Sequence, residues 1–155
     1  MDPVKNRTRI APDDADKHGS SENGSKLLHH ELTGQILQAF YHVYNTLGEG
    51  FLEKVYENSL AHALRQRGLE VETPFPTSVI FDGVIVGEYF ADLVVARTVV
   101  VEVKAADAIC KAHEAQLLNY LRATRYEVGL LLNFGPKPEF RRKVYLHGDA
   151  QSPES

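Results

Sequence analysis

In the stretch from Glu88 to Ala105, EYFADLVVARTVVVEVKA, the charged residues Asp92, Glu102 and Lys104 interrupt two apolar runs. The polar break Ala96-Arg97-Thr98 predicts a hairpin with a three-residue loop, which sets Asp92 opposite Glu102 and Phe90 opposite Lys104. Side chains alternate along a strand, so Asp92, Val94, Val100, Glu102 and Lys104 share one face, and Leu93, Val95, Val99, Val101 and Val103 the other. Opposed residues in such a pair have Cβ atoms about 4.5–5.5 Å apart, and like charges placed there repel. A positive group is wanted between the carboxylates: Lys104, a divalent cation, or both. Two carboxylates completed by waters or phosphate oxygens are a normal way to hold Mg²⁺. An acid pair in a hairpin can also be purely structural, its polar ends reaching solvent. The valines on both faces up to Val101 weigh against that, because such a strand is central and buried, where unpaired Glu and Lys are costly.

The elements that must position these groups can be read from periodicity. Residues 28–47 carry Leu32, Ile36, Leu37, Phe40, Val43, Tyr44 and Leu47 at three- and four-residue intervals, an amphipathic helix ended by Gly48-Glu49-Gly50. A second helix is predicted from Phe51 to about Arg67, with Gly68 as its cap. Glu53 and Tyr56 lie three apart on one face of its first turn, where the helix dipole favours a carboxylate. Pro74 and Pro76 confine the next stretch to an edge or an irregular crossing. Asp82-Gly83 predicts a tight turn between SVIF and a long strand that runs into Asp92. A third helix is expected over 113–125, with Gln116 and Tyr120 four apart, then a buried strand YEVGLLLNF and a final strand EFRRKVYLH. Helix, helix, strands, helix, strand, strand implies an α/β fold with a three-layer core, a mixed β-sheet flanked by helices.

Composition bounds the function classes. The chain has 155 residues, 43% hydrophobic and 25% charged, one domain's worth with a substantial core. Polar residues 1–26 read as a disordered leader, 27–146 as the domain and 147–155 as a disordered tail. No run is long enough to cross a membrane and no signal peptide is visible, so the expected location is cytoplasmic. The sole cysteine, Cys110, excludes an intramolecular disulfide framework and is expected to be a small buried or half-buried residue. His29, His30 and His42 have no metal-ligand spacing to other residues. Net charge is −4, and over residues 27–146 there are 12 Lys and Arg against 14 Asp and Glu. That balance does not advertise wrapping of duplex DNA, although Arg65, Arg67 and Arg141-Arg142-Lys143 are local basic clusters.

Asp92 followed by Glu102-Val103-Lys104 resembles the D…(D/E)-x-K signature of the PD-(D/E)XK nuclease superfamily, with Ala91 where a proline often precedes the first acid. Gly50-Phe-Leu-Glu53-Lys-Val-Tyr56 reads G-x-x-E-x-x-Y, the pattern that names the GxxExxY proteins of that superfamily. VYNTLGEGFLE, LAHALRQRGLEVE, VGEYFADLVV, VVVEVKA, HEAQLLNYLRAT and VGLLLNFG resemble that family's segments in the same order, over about residues 31–145. Phe90 departs from the basic residue found there in many relatives. The resemblance implies a restriction-endonuclease-like core and a Mg²⁺- or Mn²⁺-dependent nuclease acting on DNA or RNA. Asp92 and Glu102 would hold the metal with Glu53 as a third carboxylate, and Lys104 would orient or help deprotonate the attacking water. Tyr56, Gln116 and Tyr120 would be positioning groups, the last two resembling a Q-x-x-x-Y helix motif found after the D/E-x-K strand in other members. A non-catalytic nucleic-acid or protein-binding module that keeps the nuclease fold is the alternative, favoured by the acidic balance and by Phe90. Retention of Asp92, Glu102 and Lys104 together opposes it.

Overall fold

The computed structural model describes residues 23–74 and 76–148; the expected leader up to residue 22 and the tail from residue 149 lie outside the described residues. Helix α1 (Asn23–Leu47) begins five residues before the periodicity that predicts it. It stops at Gly48, whose φ of 72° continues no right-handed helix and whose N–H caps the Tyr44 carbonyl at 2.8 Å. Helix α2 (Glu53–Gln66) starts at Glu53 rather than Phe51 and ends before Gly68, at φ 86°. Strands β1 (Val71–Glu72), β2 (Thr77–Phe81), β3 (Val84–Tyr89), β4 (Leu93–Val95) and β5 (Val99–Lys104) follow, then α3 (Lys111–Ala123), β6 (Val128–Phe134) and β7 (Pro138–Val144).

Five strands form one sheet in the order β1-β4-β5-β6-β7. The β5–β6 pair is parallel and the others antiparallel, so the sheet is mixed, with β5 at its centre. The α3 crossover is what permits the parallel pair. One sheet face packs Leu93, Val101, Val103 and Leu130 against Ile36 and Phe40 of α1 and Leu60 and Leu64 of α2. The other packs Val100 and Leu131 against Leu117, Tyr120 and Leu121 of α3. These are the three layers of a restriction-endonuclease-like fold, helices on both faces of a mixed sheet. The two-faced burial explains the near-continuous apolar runs of β5 and β6. Gly129 sets how closely α3 sits, since a Cβ there would lie 2.8 Å from Leu117 Cδ1.

The predicted register holds in β4–β5, where Leu93 pairs with Val101 and Val95 with Val99. Its turn uses two left-handed non-glycine residues, Ala96 (φ 52°) and Arg97 (φ 53°), closed by Thr98 N–H to the Val95 carbonyl at 2.9 Å. The long strand expected to run into Asp92 is instead broken. Strand β3 stops at Tyr89 and pairs only with β2, as a separate two-stranded sheet; β4 begins at Leu93 in the main sheet. The reason lies at Asp92. Its N–H bonds the Val101 carbonyl at 3.1 Å, while its side-chain Oδ2 accepts the Val103 N–H at 2.7 Å, replacing a main-chain carbonyl of the ladder. The chain changes phase there: Leu93 packs on the α1–α2 side, whereas Ala91 and Tyr89 pack on the α3 side. The pairing therefore ends before Phe90, which is exposed and outside the ladder with Lys104.

Candidate active site

The carboxylates gather where central β5 leaves the sheet. Glu102 is 6% exposed and Asp92 is half-buried, one on β5 and the other at the break beside it. Lys104 is the last residue of β5. Glu53, exposed at the first position of α2, accepts the Ala105 N–H through Oε2 at 3.3 Å, which links α2 to the exit of β5 across 52 residues of sequence. Burial pushes the Glu102 carboxyl up to about 7; the Tyr89 hydrogen bond and Lys104 oppose that rise, and Asp92 and Glu53 add to it. Burial also raises Asp92, with Glu57 and Glu53 contributing, against the Val103 N–H and Lys104. Three sequence-expected acids and the lysine thus act on one another electrostatically.

Other expected residues have different positions. Tyr56 is fully buried, stacked on Phe134 with centroids 4.3 Å apart. Its hydroxyl donates to the Gly48 carbonyl at 2.5 Å and accepts the Phe51 N–H at 3.2 Å. With no surface to offer a substrate, it orients the loop that launches Glu53. Tyr120 is likewise buried, 5.4 Å edge-on from Tyr89 and stacked on Tyr126 at 6.5 Å. Gln116 is exposed, on the wall of a cavity that also includes Tyr89 and Tyr120. Tyr89, on the same lining, is the residue that touches Glu102. His113 closes the start of α3, its Nδ1 accepting the Cys110 N–H at 3.2 Å, and Cys110 is exposed as the cap rather than buried.

Three contributors escape a reading of the sequence. Glu57, one turn after Glu53, is the first charge acting on Asp92 and pairs with Lys54 at 3.3 Å; its i, i+4 spacing from Glu53 was the available signal. Tyr89 donates its hydroxyl to Glu102 Oε2. Its position follows from the phase change at Asp92, which no local pattern announces. Asn133, 0% exposed in β6, accepts the Ala106 N–H at 2.8 Å and donates to the Ala106 carbonyl at 3.0 Å, fixing the chain just past Lys104. An amide inside the apolar run VGLLLNF was its signal. Gly135 completes that clasp, since a Cβ there would meet the Ala106 oxygen at 2.1 Å.

Among the described residues, no three His, Cys, Asp or Glu side chains gather closely enough to hold a metal ion by themselves. The donor chemistry nevertheless suits a hard cation. Asp92 and Glu102 each have one carboxylate oxygen engaged, by Val103 and Tyr89, and the second oxygen of each is the ligand on offer, to be completed by water or phosphate oxygens. In the remote basic cluster, Lys143 at 2.6 Å and Arg141 at 3.4 Å share the single carboxylate of Glu114.

Comparison with known proteins agrees with the architecture. A family model described as the PD-(D/E)XK nuclease superfamily matches residues 30–143. The chain belongs to the PD-(D/E)XK nuclease superfamily. No curated protein matches the sequence. A crystal structure of SSO0001 is similar with a TM-score of 0.47 and 19% identity, over 63% of this chain and 52% of that one. The chain thus spans about half the length of that protein. No described helix is long and apolar enough to cross a membrane.

Proposed function

We propose that the chain is a metal-dependent nuclease of the GxxExxY type that hydrolyses phosphodiester bonds of DNA or RNA. The observation that carries this reading is the meeting of Asp92, Glu102, Lys104 and Glu53 at the exit of the central strand, with both inner carboxyls raised by burial. Two buried carboxylates crowded by Glu53 and Glu57 share Lys104 as their nearby cation, and a divalent ion would supply the further positive charge. Asp92 and Glu102 would hold Mg²⁺ or Mn²⁺, with Glu53 reaching it through water. Bound there, the ion would polarise the scissile phosphate and acidify a water. Lys104 orients the attacking water and offsets phosphate charge. The water oxygen bonds to phosphorus and gives up a proton to solvent, the P–O ester bond breaks, and the leaving oxygen takes up a proton from solvent. Asn133 and Gly135 keep Lys104 aimed, and Tyr56 keeps Glu53 in reach. Residues 27–146 are the proposed catalytic domain, and a single exposed cysteine suits a cytoplasmic location.

Calorimetric titration of Mn²⁺ into the wild type, Asp92→Asn and Glu102→Gln tests the site without presuming a substrate. Binding that both substitutions abolish is expected, followed by cleavage of DNA or RNA that Lys104→Ala removes while metal binding survives. Absence of metal binding, with or without a short oligonucleotide, overturns the reading in favour of a non-catalytic binding module, which the acidic net charge and Phe90 favour.

A further inference from the structure

Between the β2–β3 hairpin and α3 lies a cavity of about 420 Å³, within the range of small-ligand sites. Residues 77–80 of β2 form one wall, Gln116, Asn119, Tyr120 and Ala123 of α3 the other, and Tyr89 the end nearest the carboxylates. Among the described residues no lining side chain is charged, so a phosphate meets no cation on these walls and a neutral group suits them. The walls offer aromatic and aliphatic surface from Tyr89, Val79 and Ile80, and amides from Gln116 and Asn119 one turn apart on α3. The Asn119 amide oxygen also lies 3.4 Å from Arg122 Nη1. A flat, neutral group with a hydrogen-bonding edge matches this chemistry, because apolar faces stack on it and amides pair with its edge. Tyr89 joins cavity and carboxylates, since its ring lines the one and its hydroxyl binds Glu102 of the other. A group in the cavity therefore sits one tyrosine length from the carboxylates, on the scale that separates a nucleobase from its own phosphate.

We infer that the cavity between the β2–β3 hairpin and α3 is a nucleobase subsite, holding an unstacked base of the strand whose phosphate is presented to Asp92 and Glu102. The inference rests on the nuclease reading and narrows its substrate to an unpaired nucleotide, because a base inside a duplex stack cannot enter a cavity. Gln116 is then a specificity-determining residue.

The test uses the full chain and ligands without phosphate. The ¹⁵N-labelled protein is titrated with each of adenosine, guanosine, cytidine, uridine and thymidine, with ribose as control, and amide shifts are followed. At least one nucleoside at millimolar concentration should give saturable shifts at residues 77–80 and at the Gln116 and Asn119 side chains, and ribose none. Ala123→Trp fills the cavity from an exposed helix position and should weaken that binding by about tenfold or more. Ser78→Phe, exposed on the opposite wall, should do the same, and a dispersed spectrum identifies whichever variant is folded. Gln116→Ala should change the order of preference among nucleosides. No saturable shift with any nucleoside, or shifts that persist in the filled variants, overturns the subsite. Mn²⁺ titration separates the two ideas: metal binding without nucleoside binding leaves the nuclease reading standing alone, and nucleoside binding without metal leaves a base pocket on a non-catalytic fold.

Discussion

The β4–β5–β6 centre and the β2–β3 hairpin invert each other. At the centre, Glu102 and Asn133 are buried among valines and leucines. In the hairpin, Ile80, Phe81 and Ile85 stand 57–66% exposed. Both segments are apolar strands in the sequence, so strand composition does not decide burial. Position in the sheet does: β5 has a strand on each side and helices on both faces, whereas β2 and β3 pair only with each other. The centre uses burial to perturb charges, and the hairpin presents apolar surface to whatever comes between it and α3.

That contrast can be tested from its largest expected effect downward. Gly135→Ala forces a Cβ onto the Ala106 carbonyl and should cost more than about 3 kcal/mol, or prevent folding, in urea unfolding. The next effect is a pH dependence. Glu102 is raised from 4.5 to about 7 in the native state, so native protein holds a proton that the unfolded chain releases between those values. Its contribution to stability is complete below pH 4.5 and is lost as pH rises through about 7, amounting to about 3 kcal/mol. Glu102→Gln cannot titrate, so the gap between variant and wild type should open over that window in favour of the variant; parallel profiles would show that the carboxyl is not perturbed. Arg97→Gly relieves one left-handed non-glycine residue but loses the exposed pairing with Glu70 at 3.4 Å, so a net gain of about 0.5 kcal/mol is expected in thermal unfolding. Smallest is Phe81→Ser, at 66% exposure, expected within about 0.5 kcal/mol of wild type. A larger loss there would mean that the hairpin is packed after all, and the contrast would fall.

Where local chemistry determined structure, the sequence was legible. The three-residue break Ala96-Arg97-Thr98 fixes the β4–β5 register, Asp82-Gly83 fixes the second hairpin, and three-and-four spacing fixes the helices. The proximity of Glu53 to the exit of β5 followed from resemblance rather than from any spacing, since 52 residues separate the partners. The break at Asp92 was not legible, because VIVGEYFADLVV reads as one continuous strand. What ends it is a side chain doing the work of a main-chain carbonyl, a choice made only once β5 is in place. Tyr89, Glu57 and the Asn133 clasp depend on that long-range assembly in the same way.

The exposed hairpin has a practical corollary for proteolysis. No lysine or arginine occurs between Gly68 and Ala96, so trypsin has no bond to cut there, however accessible the backbone is. Its nearest sites follow Arg67 and Arg97, which bracket β1 through β4 as one fragment. Chymotrypsin, by contrast, meets Phe81 beside the Asp82-Gly83 turn, on a strand held by a single neighbour. Brief digestion with the two enzymes should therefore give different maps of the same fold: trypsin leaves the hairpin whole, and chymotrypsin cuts after Phe81 at its turn and after the exposed Phe90 just beyond β3.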